Sequence, residues 1–565
     1  MREPEEDREQ RLQQANGPGI VGRPVSATSA DLVNDPTGRA HLLAALGNPE
    51  AYVGNFPYEF AAGTYNIDPS LDPAASNPTA NASGVGSWRV VGNSGSIAVH
   101  ALPFTNDLLL LMARPNNEEG DQDTALTNYL TVDNGTQTEV AALYNMTDNT
   151  FVPFHIPESP FCSGHTLLPD GRGLVIGGDI ININGDFLKV GFQAVRVFDP
   201  TNQTITTVGY TDRGRWYPTV MTLADGNILV VGGVQMEAGG WATKPSASSS
   251  MHATPECSPN LGGSMADPYY DNPTYSVIDS TTLEQSPSLT LTILLEAWPI
   301  NSYPYATQLP SGSVLIIAGA QMEAMYIGAT GATADNSIGI LPQLPVPVNY
   351  PQYNSLALLP VDYANNYSAS VLLAGGSSEY CAASMSPAGT HSFLVDVTPG
   401  ANHTVVMEDL AQPRVMGDLT LLPDGTVFLC NGAQIGIAGG AGPNRSDANI
   451  GTTIGEIYDP KQPIGQRWTT VADSQIWRLY HSVAFLTSNA EVLVAGSEVT
   501  AEHRVQLYTP AYLQNGRPRP VITSVSSKSV TYSQNISVSF SNVTSVDRAV
   551  LNRYTGATHG VASSG

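Results

Sequence analysis

The chain has 565 residues, 42% of them hydrophobic and 13% charged, with a formal net charge of −26 at pH 7. That length holds more than one core. The acidic balance leaves no basic stripe for phosphates, which argues against nucleic acid and against an anionic membrane surface as partners, and no apolar run reaches the roughly 18 residues that span a bilayer.

Residues 1–40, opening on the charged run MREPEEDREQRLQQ, read as a disordered tail and not as a signal peptide. From 41 to 514 one repeat dominates: a Leu-Pro-Asp-Gly-like turn, four or five apolar residues, then a pair of small residues. It is degenerate in ALPFTNDLLLLMA (101–113). It recurs as LLPDGRGLVIGG (167–178), TLADGNILVVGG (222–233), QLPSGSVLIIAG (308–319), SASVLLAGG (368–376), LLPDGTVFLCNG (421–432) and FLTSNAEVLVAG (485–496). Turn followed by strand is a hairpin signal. A period of roughly 50 residues with several short strands per unit predicts an all-β, seven-bladed, kelch-type β-propeller. Residues 515–565 change character, with short strands in VITSVSS, NISVSFSNV and AVLNRY. They read as part of an immunoglobulin-like β-sandwich. Such a domain needs about 100 residues, so a truncated one is expected.

Four cysteines occur and none forms a CxxC pair, which argues against a zinc knuckle. Cys257 and Cys381 lie in Pro/Ser-rich loops and could pair in an oxidising compartment. Cys430 sits in an apolar strand as a small buried residue. Cys162, Tyr217 and Tyr480 share a different register. Each lies fifteen residues ahead of the first residue of a closing pair (162 to 177, 217 to 232, 480 to 495). In a closed ring, equivalent positions converge on the axis, so thiol, phenol and phenol followed by His481 form a candidate metal or radical site. The same offset reaches Tyr303 and Met416. Tyr350 in NYPQY resembles Tyr303 with a longer loop after it. These three are expected to line a substrate pocket at the same axial mouth.

The motifs FCSG (161–164), RWYP (215–218), RLYHS (478–482) and ATHG (557–560), with PRVMGDLTLLPDG (413–425), resemble the glyoxal oxidase/galactose oxidase family of copper radical oxidases, the glyoxal oxidase branch most closely. The resemblance covers roughly residues 45–565. It implies that Tyr217 is an equatorial copper ligand joined to Cys162 by a thioether, the radical cofactor. It implies Tyr480 as the axial tyrosine, and His481 and His559 as copper ligands, the last delivered by a hairpin from the C-terminal domain.

The donor types fit that chemistry. Imidazole nitrogen suits Cu(II), and phenolate completes a tetragonal N,O set. Copper supplies one electron and the oxidation takes two, so a neighbouring side chain must store the other. A thioether makes Tyr217 easier to oxidise, and Tyr480 can act as a general base. Strand neighbours face opposite sides, so Tyr480 and His481 can reach one metal only at a strand start or in a loop. His165 has no assigned role. His41, His100, His155, His252, His391, His403 and His503 show no ligand spacing and read as structural or exposed.

The expected function is oxidation of small aldehydes or primary alcohols by O2, giving acid or aldehyde and hydrogen peroxide, with RWYP and PRVMGD favouring aldehydes. The partners are that small substrate and O2, with no nucleic acid and no membrane. The protein is expected to be a secreted, extracellular monomer. The competing class is a non-catalytic extracellular propeller that binds glycans or proteins. Such a scaffold has no need of Cys162, Tyr217, Tyr480, His481 and His559 together.

Overall fold

The computed structural model describes residues 85–562, apart from 106, 115–130, 133–136, 139, 180–190, 236–270, 441–445, 501 and 531–533. Cys257 and the expected tail, 1–40, lie outside the described residues.

Seven antiparallel sheets follow one another along the chain, and the first strands of successive sheets lie side by side around an axis. The seven-bladed propeller read from the repeat is the fold observed. Blade 1 has strands His100–Pro103, Leu108–Met112, Ala141–Asn145 and Thr150–Phe154. The inner strands of blades 2 to 6 are Gly164–Leu167, Thr219–Thr222, Tyr305–Gln308, Ser355–Leu358 and Asp418–Leu421. Blade 7 takes Ser482–Leu486, Val492–Gly496 and Arg504–Thr509, and its outermost strand comes from the other end of the described chain, Ser87–Asn93. The first two strands of a blade read as continuous buried runs, such as Thr219–Thr222 and Ile228–Val231, whereas the outer strand Thr204–Tyr210 alternates exposed and half-buried. A strand covered on both faces needs no polar side, and an outer strand does.

The repeat motif has a physical reading. In the turn, the side chain of Asp225 accepts the backbone N–H of Asn227 (2.9 Å) while Gly226 takes φ +90°. Asp170 with Arg172 and Asp424 with Thr426 repeat the contact. The closing pair must be small because the next blade passes over it: a Cβ on Gly177 would lie 2.1 Å from the Arg215 carbonyl oxygen. Two residues before Tyr217, Met416 and Tyr480 stand the buried Arg215, Arg414 and Arg478. Their guanidinium groups donate to the carbonyls of Gly232, Asn431 and Gly496 at the closing pairs. In blade 2, where Pro160 holds that place, Arg196 from the third strand donates to the Gly177 carbonyl instead (2.9 Å).

Over residues 515–565 the described structure has two parts. Val521–Val525 pairs with Val538–Ser541 as a two-stranded sheet whose residues are all exposed. Farther on, the short hairpin Ala557–Thr558/Val561–Ala562 joins the inner strand of blade 1 through Ala101 and Ala557. The same hairpin accepts a hydrogen bond at the Gly560 carbonyl from Ser355 of blade 5 (3.0 Å). It therefore bridges inner strands of separate blades, inside the ring.

Ring closure rests on the strand Ser87–Asn93. Its Trp88 is 6% exposed, packs on Tyr508 (5.2 Å between ring centroids) and donates Nε1–H to the Ala472 carbonyl (2.8 Å). Trp88→Ala is expected to destabilise the fold by about 3–5 kcal/mol, as large core truncations do. Trp88→Phe should cost less. The denaturant midpoint of each variant checks this.

Candidate copper site

Cys162, Tyr217, Tyr303 and Met416 each stand two residues ahead of an inner strand, and each has a left-handed backbone, with φ of 57°, 62°, 46° and 62°. Left-handed non-glycine residues cost of order 1–3 kcal/mol each and persist where the surroundings hold them. Here backbone hydrogen bonds link one blade to the next. Tyr217 N–H donates to the Cys162 carbonyl, Tyr303 N–H to the Tyr217 carbonyl and Met416 N–H to the Tyr353 carbonyl, each at 2.9 Å. Tyr353, not Tyr350, therefore holds the ring position of blade 5. The closing-pair offset misses it because blade 5 has a longer loop between its first two strands; counting back from the inner strand finds it.

Tyr350 comes from the loop before it and stacks on Tyr217 (4.5 Å, 29°). The Tyr303 ring lies 5.1 Å from Tyr217 and 4.6 Å from His559. Met416 is buried in the same apolar cluster.

In blade 7 the left-handed residue is His481 (φ 62°), one position later, immediately before the inner strand. That turn removes the strand alternation, and both neighbours reach the centre. The Tyr480 hydroxyl lies 2.9 Å from the Tyr217 hydroxyl, and His481 Nε2 lies 4.0 Å from Cys162 Sγ. His559, left-handed at the hairpin tip (φ 49°), places Nε2 3.8 Å from the same sulfur. The ligand atoms of Cys162, His481 and His559 all lie within 4.8 Å of one another, and all three residues are buried.

The orientation of each imidazole follows from its other nitrogen. His481 Nδ1 meets the Glu498 carboxylate, which also pairs with Arg114 (3.4 Å). The carboxylate only accepts, so the proton is on Nδ1 and Nε2 keeps its lone pair. Thr558 donates its hydroxyl to the Val99 carbonyl (3.1 Å), so it accepts from His559 Nδ1 (2.6 Å), and His559 Nε2 is likewise free. Both lone pairs face one buried space.

Burial lowers the pKa of His481, against the pull of Glu498, and holds His559 well below the usual imidazole range. Burial also raises the phenols of Tyr217 and Tyr480 well above their ordinary value, with no cation among the causes to offset it. A divalent cation would stabilise both phenolates while using the two free Nε2 atoms. The donor set fits copper. Glu498, Arg114 and Tyr353 were not singled out from sequence; the one signal for Glu498 is an acid two residues after the closing Ala495–Gly496 pair.

Among the cysteines, Cys162 and Cys430 are free and buried, and Cys381 is disulfide-bonded.

Residues 271–514 match the family model described as "Glyoxal oxidase N-terminus". "Aldehyde oxidase GLOX" from Vitis pseudoreticulata is 28% identical over 408 residues, covering 68% of this chain and 66% of the relative. These matches make the chain similar to the glyoxal oxidase/galactose oxidase family. A "WSC domain-containing protein" of Arthroderma benhamiae is 31% identical over 395 residues, 65% of this chain and 36% of that protein. "Aldehyde oxidase GLOX1" of Arabidopsis thaliana is 27% identical, with 64% and 56% covered. The chain thus spans between 36% and 66% of the length of these curated relatives. A solved fungal alcohol oxidase of the AA5 family, in complex with copper, superposes with a TM-score of 0.58 over 85% of this chain and 88% of its own, at 18% identity, and shares the fold.

Two outcomes follow for this site. Glu498→Ala is expected to weaken copper binding roughly 10- to 100-fold, as loss of an orienting partner does. Glu498→Gln, which still offers an acceptor to Nδ1–H, should lose less; calorimetric titration with Cu2+ reads both. Asp418, buried at the start of the inner strand of blade 6, has its carboxyl raised by burial from 3.8 to about 7. The folded state then holds the proton more tightly than the unfolded one, so stability falls as pH rises through that interval. Asp418→Asn should lose less stability between about pH 4 and 7 than the parent, as denaturant midpoints across that range would show.

Proposed function

We propose that this chain is a copper radical oxidase that oxidises small aldehydes or primary alcohols with O2 to the acid or aldehyde and hydrogen peroxide. The observation that carries the reading is the convergence of two free imidazole Nε2 atoms, two phenols 2.9 Å apart and one thiol in a single buried space. The names of the relatives, aldehyde oxidases, favour aldehydes. Secretion and a monomeric state belong to the same reading. Among the described residues no helix is long and apolar enough to cross a membrane.

His481 Nε2, His559 Nε2 and the hydroxyl oxygens of Tyr217 and Tyr480 would hold the metal. Copper, when bound, supplies one-electron redox chemistry and lowers the charge cost of two phenolates. The remaining work falls to side chains. Tyr480 accepts the substrate's hydroxyl proton at its oxygen, as a general base. Tyr217, linked to Cys162 Sγ as the thioether cofactor, stores the second oxidising equivalent and takes a hydrogen atom from the substrate carbon. Tyr303, Tyr350 and Met416 line the space and keep water from it.

A second reading has a specific observation behind it: Cys162 Sγ lies within 4.0 Å of both Nε2 atoms and could bind the metal directly. Intact mass separates the two, since a thioether removes two hydrogens and a ligating thiol removes none.

The test loads the full chain with copper under O2 and follows peroxide with glyoxal-type aldehydes and primary alcohols. The parent is expected to form peroxide. Tyr217→Phe should bind copper and form none, and Tyr480→Phe should lose roughly 100- to 10,000-fold in rate, the usual worth of a general base. No peroxide from the copper-loaded parent would refute the reading.

A further inference from the structure

The chain of backbone hydrogen bonds around the axis has a beginning. Tyr217, Tyr303 and Met416 each give their N–H to the carbonyl of the ring residue one blade earlier. Cys162 has no such carbonyl. Among the described residues no blade 1 carbonyl accepts the Cys162 N–H, and the hairpin carrying His559 lies against Ala101 and Val99 of that blade. The Cys162 N–H instead donates to a side chain, His100 Nε2, at 2.9 Å. His100 is the first residue of the inner strand of blade 1 and is fully buried.

The direction of that bond decides the tautomer. A backbone N–H only donates, so His100 Nε2 accepts and its proton sits on Nδ1. His100 Nδ1 has no partner among the described residues. Beside it, His165 is 1% exposed, its ring meets His100 edge-on at 5.4 Å between centroids, and neither of its nitrogens has a partner. Buried polar groups are paired, directly or through ordered water. The edge-on His165 ring packs against the His100 ring and holds it in the orientation that presents Nε2 to the Cys162 N–H.

We propose that His100, braced by His165, is the positioning residue that holds Cys162 in its left-handed geometry so that its sulfur meets the Tyr217 ring. Two hydrogen bonds hold the peptide groups flanking the strained residue, His100 to its N–H and the Tyr217 N–H to its carbonyl. Losing the first releases one side. The step it serves rests on the thioether reading above. The Cys162 S–H bond and one Tyr217 ring C–H bond break and a C–S bond forms. The two protons and two electrons go to one O2, giving hydrogen peroxide.

The experiment uses the full chain with two readouts. The first is the rate of crosslink formation after copper and O2 are added, followed by intact mass, with copper stoichiometry measured alongside. The second is hydrogen exchange of the Cys162 amide in copper-free protein, where no crosslink forms. His100→Phe is expected to bind copper, to slow crosslinking roughly 10- to 100-fold, and to lose amide protection. His100→Gln keeps a side-chain acceptor and should recover much of both. His165→Leu should fall between the parent and His100→Phe. Parent-like crosslinking and parent-like amide protection in His100→Phe would overturn the proposal. If the parent forms no crosslink while amide protection still depends on His100, the thioether reading fails and the positioning role of His100 stands. If His100→Phe does not fold, a Cys162 amide that exchanges without protection in the parent itself would equally overturn it.

Discussion

The strand Ser87–Asn93, paired antiparallel with Arg504–Thr509, closes seven blades into a ring, and the rest of the structure depends on that closure. In an open fan, the residues ahead of successive inner strands would lie on an arc and never meet. In a closed ring they face a common centre, and a thiol from blade 2, a phenol from blade 3 and a phenol–imidazole pair from blade 7 come together although more than 300 residues separate the first from the last (162 and 481). Non-local pairing of this kind carries a loop-closure cost that local contacts do not. The buried arginines and the close approach at the glycine pairs answer that cost blade by blade.

Much of this was legible in sequence because it repeats. A turn of Asp-Gly followed by an apolar run and a small pair has a physical cause at each position, so its recurrence reveals blade number and register. Cys162, Tyr217, Tyr303, Met416 and Tyr480 were found from one spacing. What did not repeat was harder to see. Tyr353 was displaced from the count by a longer turn in its own blade. Glu498 and His100 act through single contacts to His481 and Cys162, and one contact leaves no period. The hairpin at 557–562 is too short to show alternation, and only a resemblance in four residues, ATHG, pointed to it.

The electrostatics of the centre have a consistent sense. Burial alone pushes every imidazole there toward neutral and every phenol away from phenolate. Two imidazoles each have one nitrogen engaged, by Glu498 and by Thr558, and one left open. Such a pocket is poised for a cation: the lone pairs are desolvated and aligned beforehand, and the phenols need positive charge to ionise. The same burial that makes the site costly to assemble keeps solvent from the Cys162 thiol and the two phenols. The left-handed backbone at Cys162, Tyr217, His481 and His559 is strain that the ring and the threaded hairpin jointly sustain.

The central claim is that blade 7 and the C-terminal hairpin bring His481 and His559 to one metal. Anomalous diffraction at the copper edge, from crystals of copper-loaded protein, tests it most directly. The account predicts a single strong peak within bonding distance of both Nε2 atoms and of the Tyr217 and Tyr480 oxygens. A peak bound to other residues, or one that touches His481 without His559, would contradict it.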